Sequence, residues 1–293
     1  MIKSVGVIGL GNMGTGMALS LQRAGFDTRS TTRSAASRSK AASEGVVTVE
    51  SVEQVANHAQ AIVLSLPTPT SVVAVIEGPD GLLAHARSGQ VVIDTTTSDA
   101  PTTRRVAAAL EAAGVRFIDA PVSGAPEVAR KGQLTMMLGG AVSDIQEVMT
   151  VLEAVSAVRV HVGPLGAGQV VKLANNLMAA AHFLVAGELV AFIREAGVDV
   201  DTFLQVINAS TGRSFITERV YTNWIQRGNF NLGFSVGLMR KDVRLAMEEI
   251  QRQSVELPLA TLVGEQWLTS GGLVSDSEDI TRIVELPIRR GRE

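Results

Sequence analysis

Short apolar runs alternate with stretches of helical periodicity through the first half of the chain. The runs Ser4–Ile8, Ala61–Leu66, Val91–Asp94 and Arg116–Ala120 are brief and rich in Val or Ile, as strands covered on both faces require. Between them, Asn12–Ala24 and Ala100–Ala113 are patterned as helices that stop at Gly25 and Gly114. Glycine ends a helix readily because it takes up positive φ without strain. This alternation predicts a parallel sheet with helices on both faces over residues 1–163.

The pattern changes after Gly163-Pro164-Leu165-Gly166-Ala167-Gly168. A helix is predicted from about Gln169 to Ala196, with no formally charged residue between Lys172 and Glu188, so most of its surface needs burial. At ~1.5 Å per residue it runs about 40 Å, long enough to join two domains. Beyond Gly197 only helical patterns follow: Asp199–Asn208, Ile216–Gln226, Gly237–Gln253 and Pro258–Thr269. The predicted fold is α/β, a Rossmann-type doubly wound parallel sheet over residues 1–163. An all-α C-terminal domain over 164–293 is joined to it by the long interdomain helix.

Composition narrows the function. Among 293 residues, 26 Lys and Arg face 29 Asp and Glu, a formal net charge of −3. Nucleic acid and anionic membranes both require a basic face, so neither is expected as the main partner. No uninterrupted apolar run reaches the length of a bilayer span, and the opening MIKSVGVIGLG is too briefly apolar for a signal peptide; a cytoplasmic protein is expected. There is no cysteine, which excludes disulfides, thiolate metal sites and a Cys nucleophile. His58, His85, His161 and His182 have no ligand spacing, so no metal site is expected.

The first candidate chemistry is Gly9-Leu10-Gly11-Asn12-Met13-Gly14, a G-x-G-x-x-G that follows an apolar strand and opens a helix. In that context Gly9 makes the tight turn, Gly11 lets a pyrophosphate approach the backbone, and Gly14 allows helix and strand to pack closely. The helix N-terminus at Asn12 and Met13 supplies free N–H groups and partial positive charge. A glycine-rich turn without a ligand is the alternative. An NAD site usually places an acid near the end of the second strand. Here that stretch reads Thr31-Thr32-Arg33-Ser34, with Arg38 and Lys40 beyond, and Asp27 lies at the strand's beginning. An Arg there suits a 2′-phosphate, so NADP(H) is favoured over NAD(H), with a solvated basic helix start as the alternative.

Lys172 stands in the first turns of the apolar helix, where a cation opposes the helix dipole. If it faces inward, burial favours its neutral form and suits it to proton exchange with a substrate hydroxyl. If it snorkels to solvent, it is a surface lysine. Asn176, four residues on, shares its face. A third candidate is Asp119-Ala120-Pro121-Val122-Ser123-Gly124-Ala125, a loop beyond a strand's carboxyl end, where ligands bind in open α/β sheets. Ser123 and the N–H groups of Gly124 and Ala125 could hold a carboxylate, or form an ordinary turn.

Taken together, these segments resemble the β-hydroxyacid dehydrogenase family around 3-hydroxyisobutyrate dehydrogenase and tartronate semialdehyde reductase. The likeness spans essentially the whole chain and rests on Gly9–Gly14, Asp119–Gly124, Gly166–Asn176 and Lys241-Asp242. It implies hydride transfer between a nicotinamide and the hydroxyl-bearing carbon of a small β-hydroxy acid. Lys172 matches the family's catalytic lysine and Asn176 its substrate-orienting asparagine; Ser123 and Gly124 match the carboxylate turn. Leu66, Pro67, Ser71 and Thr96 fall where the family contacts cofactor, and Lys241 near the nicotinamide end. The resemblance further implies a small carboxylate substrate and a homodimer or homotetramer formed through the helical domain. Ala125 replaces a common Gly, and Phe215 stands where many relatives have Trp, lining the pocket or packing in the core. Two other functions remain to weigh, a non-catalytic dinucleotide-binding protein and an imine reductase on the same fold, whose members usually lack a lysine at this position.

Overall fold

The computed structural model describes residues 2–291. The chain divides into two compact units, Met1–Lys172 and Leu173–Glu293, so the division falls inside the long helix.

The first unit is built on eight strands: β1 (Ser4–Ile8), β2 (Asp27–Thr31), β3 (Ala61–Leu64), β4 (Val91–Asp94), β5 (Arg116–Asp119), β6 (Val122–Ser123), β7 (Leu134–Gly139) and β8 (Ser156–Gly163). They lie in the order β2-β1-β3-β4-β5-β7-β6, with β8 paired to β7. β1 to β5 are parallel, and every residue of β3 and β4 is buried, which explains their unbroken apolar sequences. The chain leaves β1 for β2 on one side and crosses to β3 on the other. The crevice at the carboxyl ends of β1 and β3 is therefore the topological switch point. A lone parallel bridge, Ser30 to Thr48, extends the sheet beyond β2.

Three strands go beyond the sequence expectation, and the sheet is mixed. β6 and β5 run antiparallel to β7, so Ser123 sits on a short paired strand where a loop was expected. β8 escaped notice because Val158 and Val160 alternate with Arg159 and His161 and are both 48% exposed; an edge strand of this kind carries no apolar run.

In the second unit the long helix, Ala167–Glu195, is followed by Val200–Asn208, Val236–Arg252 and Pro258–Thr269, while Ile216–Ile225 is π-helical where an α-helix was predicted. Leu173, Leu177, Ala180, Phe183, Leu184 and Val190 of the long helix pack with Val220, Tyr221, Met239, Val243, Trp267 and Ile283. By length and composition this helix is apolar enough to cross a bilayer, with a mean hydropathy of 1.7 over its most apolar window, although its apolar residues never run uninterrupted. Its buried face instead forms the interior of the second unit. Arg240 is buried, donating from Nε to the Trp267 carbonyl and from Nη2 to Ser270 Oγ and the Val274 carbonyl. That anchors the helix Val236–Arg252 one residue before Lys241-Asp242.

Candidate active site

The glycine loop lies at the switch point, and its three glycines face three different surroundings. A Cβ on Gly9, whose φ is +103°, would stand 2.1 Å from the Ser65 carbonyl oxygen beyond β3. One on Gly14 would stand 1.8 Å from the Gly9 carbonyl oxygen. Both are pinned by backbone packing. A Cβ on Gly11 would meet nothing within 4 Å, and Gly11 caps the helix Asn12–Arg23 with no side chain bonded to its first turn and no acid in it. The second glycine thus opens onto free space in front of unsatisfied helix N–H groups at Asn12 and Met13, the kind of helix start that could hold a pyrophosphate.

At the end of β2 the basic residues separate into two kinds. Ser34 caps the helix Ala35–Ser43 by accepting from the Ser37 N–H. Arg38 donates to the Thr32 carbonyl at 3.0 Å and pairs with Glu50. Arg33 and Lys40 are exposed, and Arg33 makes no hydrogen bond or ion pair with its side chain among the described residues.

The carboxyl ends of β3, β4 and β5 converge on the start of the long helix. Asp119, at the end of β5, is fully buried and accepts from the N–H groups of Gly166 (2.7 Å) and Gln169 (3.0 Å). Burial pushes its carboxyl above the ordinary value, more than these N–H bonds hold it down. Gly139 and Gly168 carry no side chain because a Cβ would press within 2.3 Å and 2.6 Å of this carboxylate. Thr96 Oγ1 accepts from the Leu66 N–H at 3.1 Å, joining the β3 loop to the β4 loop, and Pro67 follows on the exposed side. Ser71 lies in the first turn of the helix Pro69–Glu77, its N–H donating to Thr68 Oγ1.

Lys172 is 8% exposed, so its side chain does not run out to solvent, which decides against the snorkelling alternative. Asn176 is equally buried, on the same helix face. Ser123 is half-buried and its hydroxyl has no partner among the described residues. Gly124, at φ +140°, would bring a Cβ within 2.8 Å of Leu134, and Ala125 caps the helix Pro126–Arg130 in extended conformation.

In the second unit Asn176 Nδ2 donates to Asp242 Oδ2 at 2.7 Å, and Asn175 Nδ2 donates to Asn176 Oδ1. Lys241 Nζ stands 2.8 Å from Asp242 Oδ1. A carboxylate only accepts, so Asp242 dictates that the Asn176 amide turns its nitrogen inward. Phe215 is 65% exposed, which removes the core-packing alternative. Among the described residues no cluster of His, Cys, Asp or Glu could hold a metal ion. Sequence patterns passed over three roles: Asp119 as anchor of the long helix, Gln169 beside it, and Asp242 as orienter of Asn176. A lone acid ending an apolar strand was the visible signal for the first.

Residues 4–163 match the family described as the NAD binding domain of 6-phosphogluconate dehydrogenase. Residues 166–286 match the one described as NAD-binding of NADP-dependent 3-hydroxyisobutyrate dehydrogenase. The 2-hydroxy-3-oxopropionate reductase of Escherichia coli is 31% identical over 96% of this chain and 97% of its own length. The solved 3-hydroxyisobutyrate dehydrogenase of Mycobacterium tuberculosis, with L-serine, superposes with a TM-score of 0.86 at 27% identity, covering 97% of this chain and 99% of that one. An imine reductase from Myxococcus stipitatus shares the fold at 14% identity and a TM-score of 0.65, covering 98% of this chain and all of that one. With a glycine loop at the switch point, a buried Lys172 and relatives of this kind along its whole length, the chain belongs to the β-hydroxyacid dehydrogenase family and is an NAD(P)-dependent oxidoreductase.

Proposed function

We propose that the protein is an NADP(H)-preferring dehydrogenase of small β-hydroxy acids that works as a semialdehyde-acid reductase. The observation that carries this is the burial of Lys172 just beyond the point where Asp119 anchors the long helix. A bound nicotinamide supplies the hydride. As the carbonyl carbon gains that hydride, Lys172 Nζ donates a proton to the oxygen, giving the alcohol; in the oxidative direction it takes that proton back. Asn176, fixed by Asp242, orients the substrate oxygen. Ser123, with a free hydroxyl, and the N–H groups of Gly124 and Ala125 hold the carboxylate. The family resemblance assigns Phe215 to substrate recognition and Lys241 to the nicotinamide end of the cofactor. On the cofactor side, Thr32, Arg33, Leu66, Pro67, Ser71 and Thr96 complete the contacts begun by Gly9–Gly14. The preference for NADP(H) rests on unpartnered Arg33 standing where an acid would select NAD(H).

Self-association fits the same picture. Met178, Val185, Leu189 and Phe192 leave 46–64% of their surface exposed along one stripe of the long helix, an apolar face suited to a second copy in a homodimer or homotetramer. Sedimentation velocity reads the oligomer directly.

The functional test follows cofactor oxidation by absorbance, with NADPH and NADH in parallel. The panel holds methylmalonate semialdehyde, tartronate semialdehyde, succinic semialdehyde and glyoxylate, with a cyclic imine beside them. Turnover of a semialdehyde acid, faster with NADPH, is the expected result. Turnover of the imine alone overturns the substrate class. Tight cofactor binding with no turnover in the whole panel leaves a bulkier substrate or a binding protein, and overturns the small-substrate reading.

A further inference from the structure

Gln169 has no exposed surface, yet it is polar and both ends of its amide are used. Its Oε1 accepts from the Ser98 N–H at 2.8 Å and its Nε2 donates to the Thr96 carbonyl at 2.9 Å. The backbone N–H of the same residue donates to Asp119 Oδ2 at 3.0 Å. Through Thr96 the network continues: its Oγ1 accepts from the Leu66 N–H and its own N–H donates to Asp94 Oδ1 at 3.0 Å. One residue therefore ties the first turn of the long helix to the loop after β4, and through it to the loop after β3.

We propose that Gln169 is a positioning residue that sets where Lys172 stands relative to the cofactor loops, so that ordering of those loops by the dinucleotide is transmitted to the proton-transfer group. The inference rests on the role of Lys172 given above. Three points argue for it. Lys172 lies three residues further on, less than one helical turn from the amide, so a displacement of the anchor moves the lysine with it. The amide has a single satisfactory orientation, because its oxygen must face an N–H and its nitrogen a carbonyl; a displacement that lengthens either bond by about 1 Å takes it out of range. The two tethered loops leave the carboxyl ends of β3 and β4, beside the switch point where a dinucleotide binds. An apolar side chain of equal volume would fill the space but leave the Ser98 N–H and the Thr96 carbonyl without this partner, so the amide is what joins the helix to these loops.

The test uses Gln169→Met, which keeps the volume, and Gln169→Glu, which keeps the acceptor toward Ser98 but sets an oxygen against the Thr96 carbonyl. Hydrogen exchange is measured on the peptides covering 5–20 and 164–178, with and without saturating NADPH. In the wild type NADPH slows exchange in both peptides. In the variants NADPH still binds and protects 5–20, while protection of 164–178 is lost. With the best substrate of the panel, kcat falls on the order of 100-fold, the cost of a misplacement of about 1 Å, while the NADPH dissociation constant stays within about threefold. The solvent isotope effect on kcat rises because proton transfer has become the slower step. Unchanged protection of 164–178, or lowered urea resistance with kcat and isotope effect as in the wild type, overturns the proposal and leaves Gln169 a packing residue. Lys172→Ala separates the two levels. If it retains turnover, the role of Lys172 falls, and the exchange experiment alone judges the tether. If it is inactive while Gln169→Met turns over normally, only the tether falls.

Discussion

Arg33→Asp inverts one charge at the end of β2, and its effect on the two cofactors can be worked out from the surroundings. Arg33 is exposed and unpaired by its side chain, whereas Ser34 is spent on a helix cap and Arg38 on Thr32 and Glu50. Arg33 is thus the group in this stretch best placed to meet a 2′-phosphate. Losing one charge-assisted hydrogen bond to that phosphate costs about 1.5–3 kcal/mol. An Asp carboxylate about 6 Å from a phosphate carrying nearly two negative charges adds about 1.4 kcal/mol of repulsion in water. The sum is about 3–4 kcal/mol, or roughly 100- to 1000-fold in the NADPH dissociation constant. NADH has no phosphate there, and the new carboxylate can accept its ribose 2′-OH, a gain of about 1 kcal/mol. Fluorescence titration of both cofactors at ~0.1 M salt reads the two constants, and higher salt should shrink the NADPH effect through screening. Arg38→Ala is the control: it removes a tether within the first unit and is expected to weaken both cofactors alike. Equal losses of NADPH and NADH in Arg33→Asp would refute the argument, as would a selective loss of NADPH in Arg38→Ala.

The remaining predictions concern the loop and the two buried polar centres. Gly11→Ala leaves the fold intact, since its Cβ meets open space, but obstructs the pyrophosphate; calorimetric titration should show cofactor binding weakened at least tenfold at unchanged urea resistance. Gly14→Ala forces a Cβ against the Gly9 carbonyl and should destabilise the first unit by about 3 kcal/mol, read as a shifted urea midpoint in circular dichroism. Lys172→Ala should abolish turnover and leave the NADPH dissociation constant within about threefold, and surviving turnover would remove the proton-transfer role. Asp242→Leu removes the buried carboxylate that accepts from the Asn176 amide and pairs with Lys241, with an expected cost of about 3 kcal/mol. Trp224 and Trp267 both lie in the second unit, so urea unfolding followed by their fluorescence reports that loss directly.

Local pattern made much of the first unit legible. β1 and β4 coincide with the apolar runs expected of them, and the helices Asn12–Arg23 and Ala100–Ala112 stop within a residue or two of the glycines that end them. Strands buried on both faces must be apolar throughout, so they declare themselves in one dimension. β8 does not, because along its exposed edge valines alternate with Arg159 and His161. The π-helical geometry of Ile216–Ile225 was equally invisible, since a segment of 10 residues is too short for its apolar spacing to separate i→i+5 from i→i+4 hydrogen bonding.

The candidate site divides in the same way. Sequence by itself determined the glycine loop, the basic end of β2, and the Lys172 and Asn176 pair, because each depends on spacing along one element, where side-chain direction follows from the element's own geometry. Only the tertiary structure decided the surroundings of those groups. It showed Gly11 facing open space while Gly9 and Gly14 are pinned, Arg33 unpartnered while Arg38 is engaged, and Lys172 buried. It also brought Asp119 to Gly166 and Gln169, and Asp242 to Asn176, partners separated by 47 to 66 positions. Burial and hydrogen bonding between distant residues depend on which elements pack together, and no local period records that.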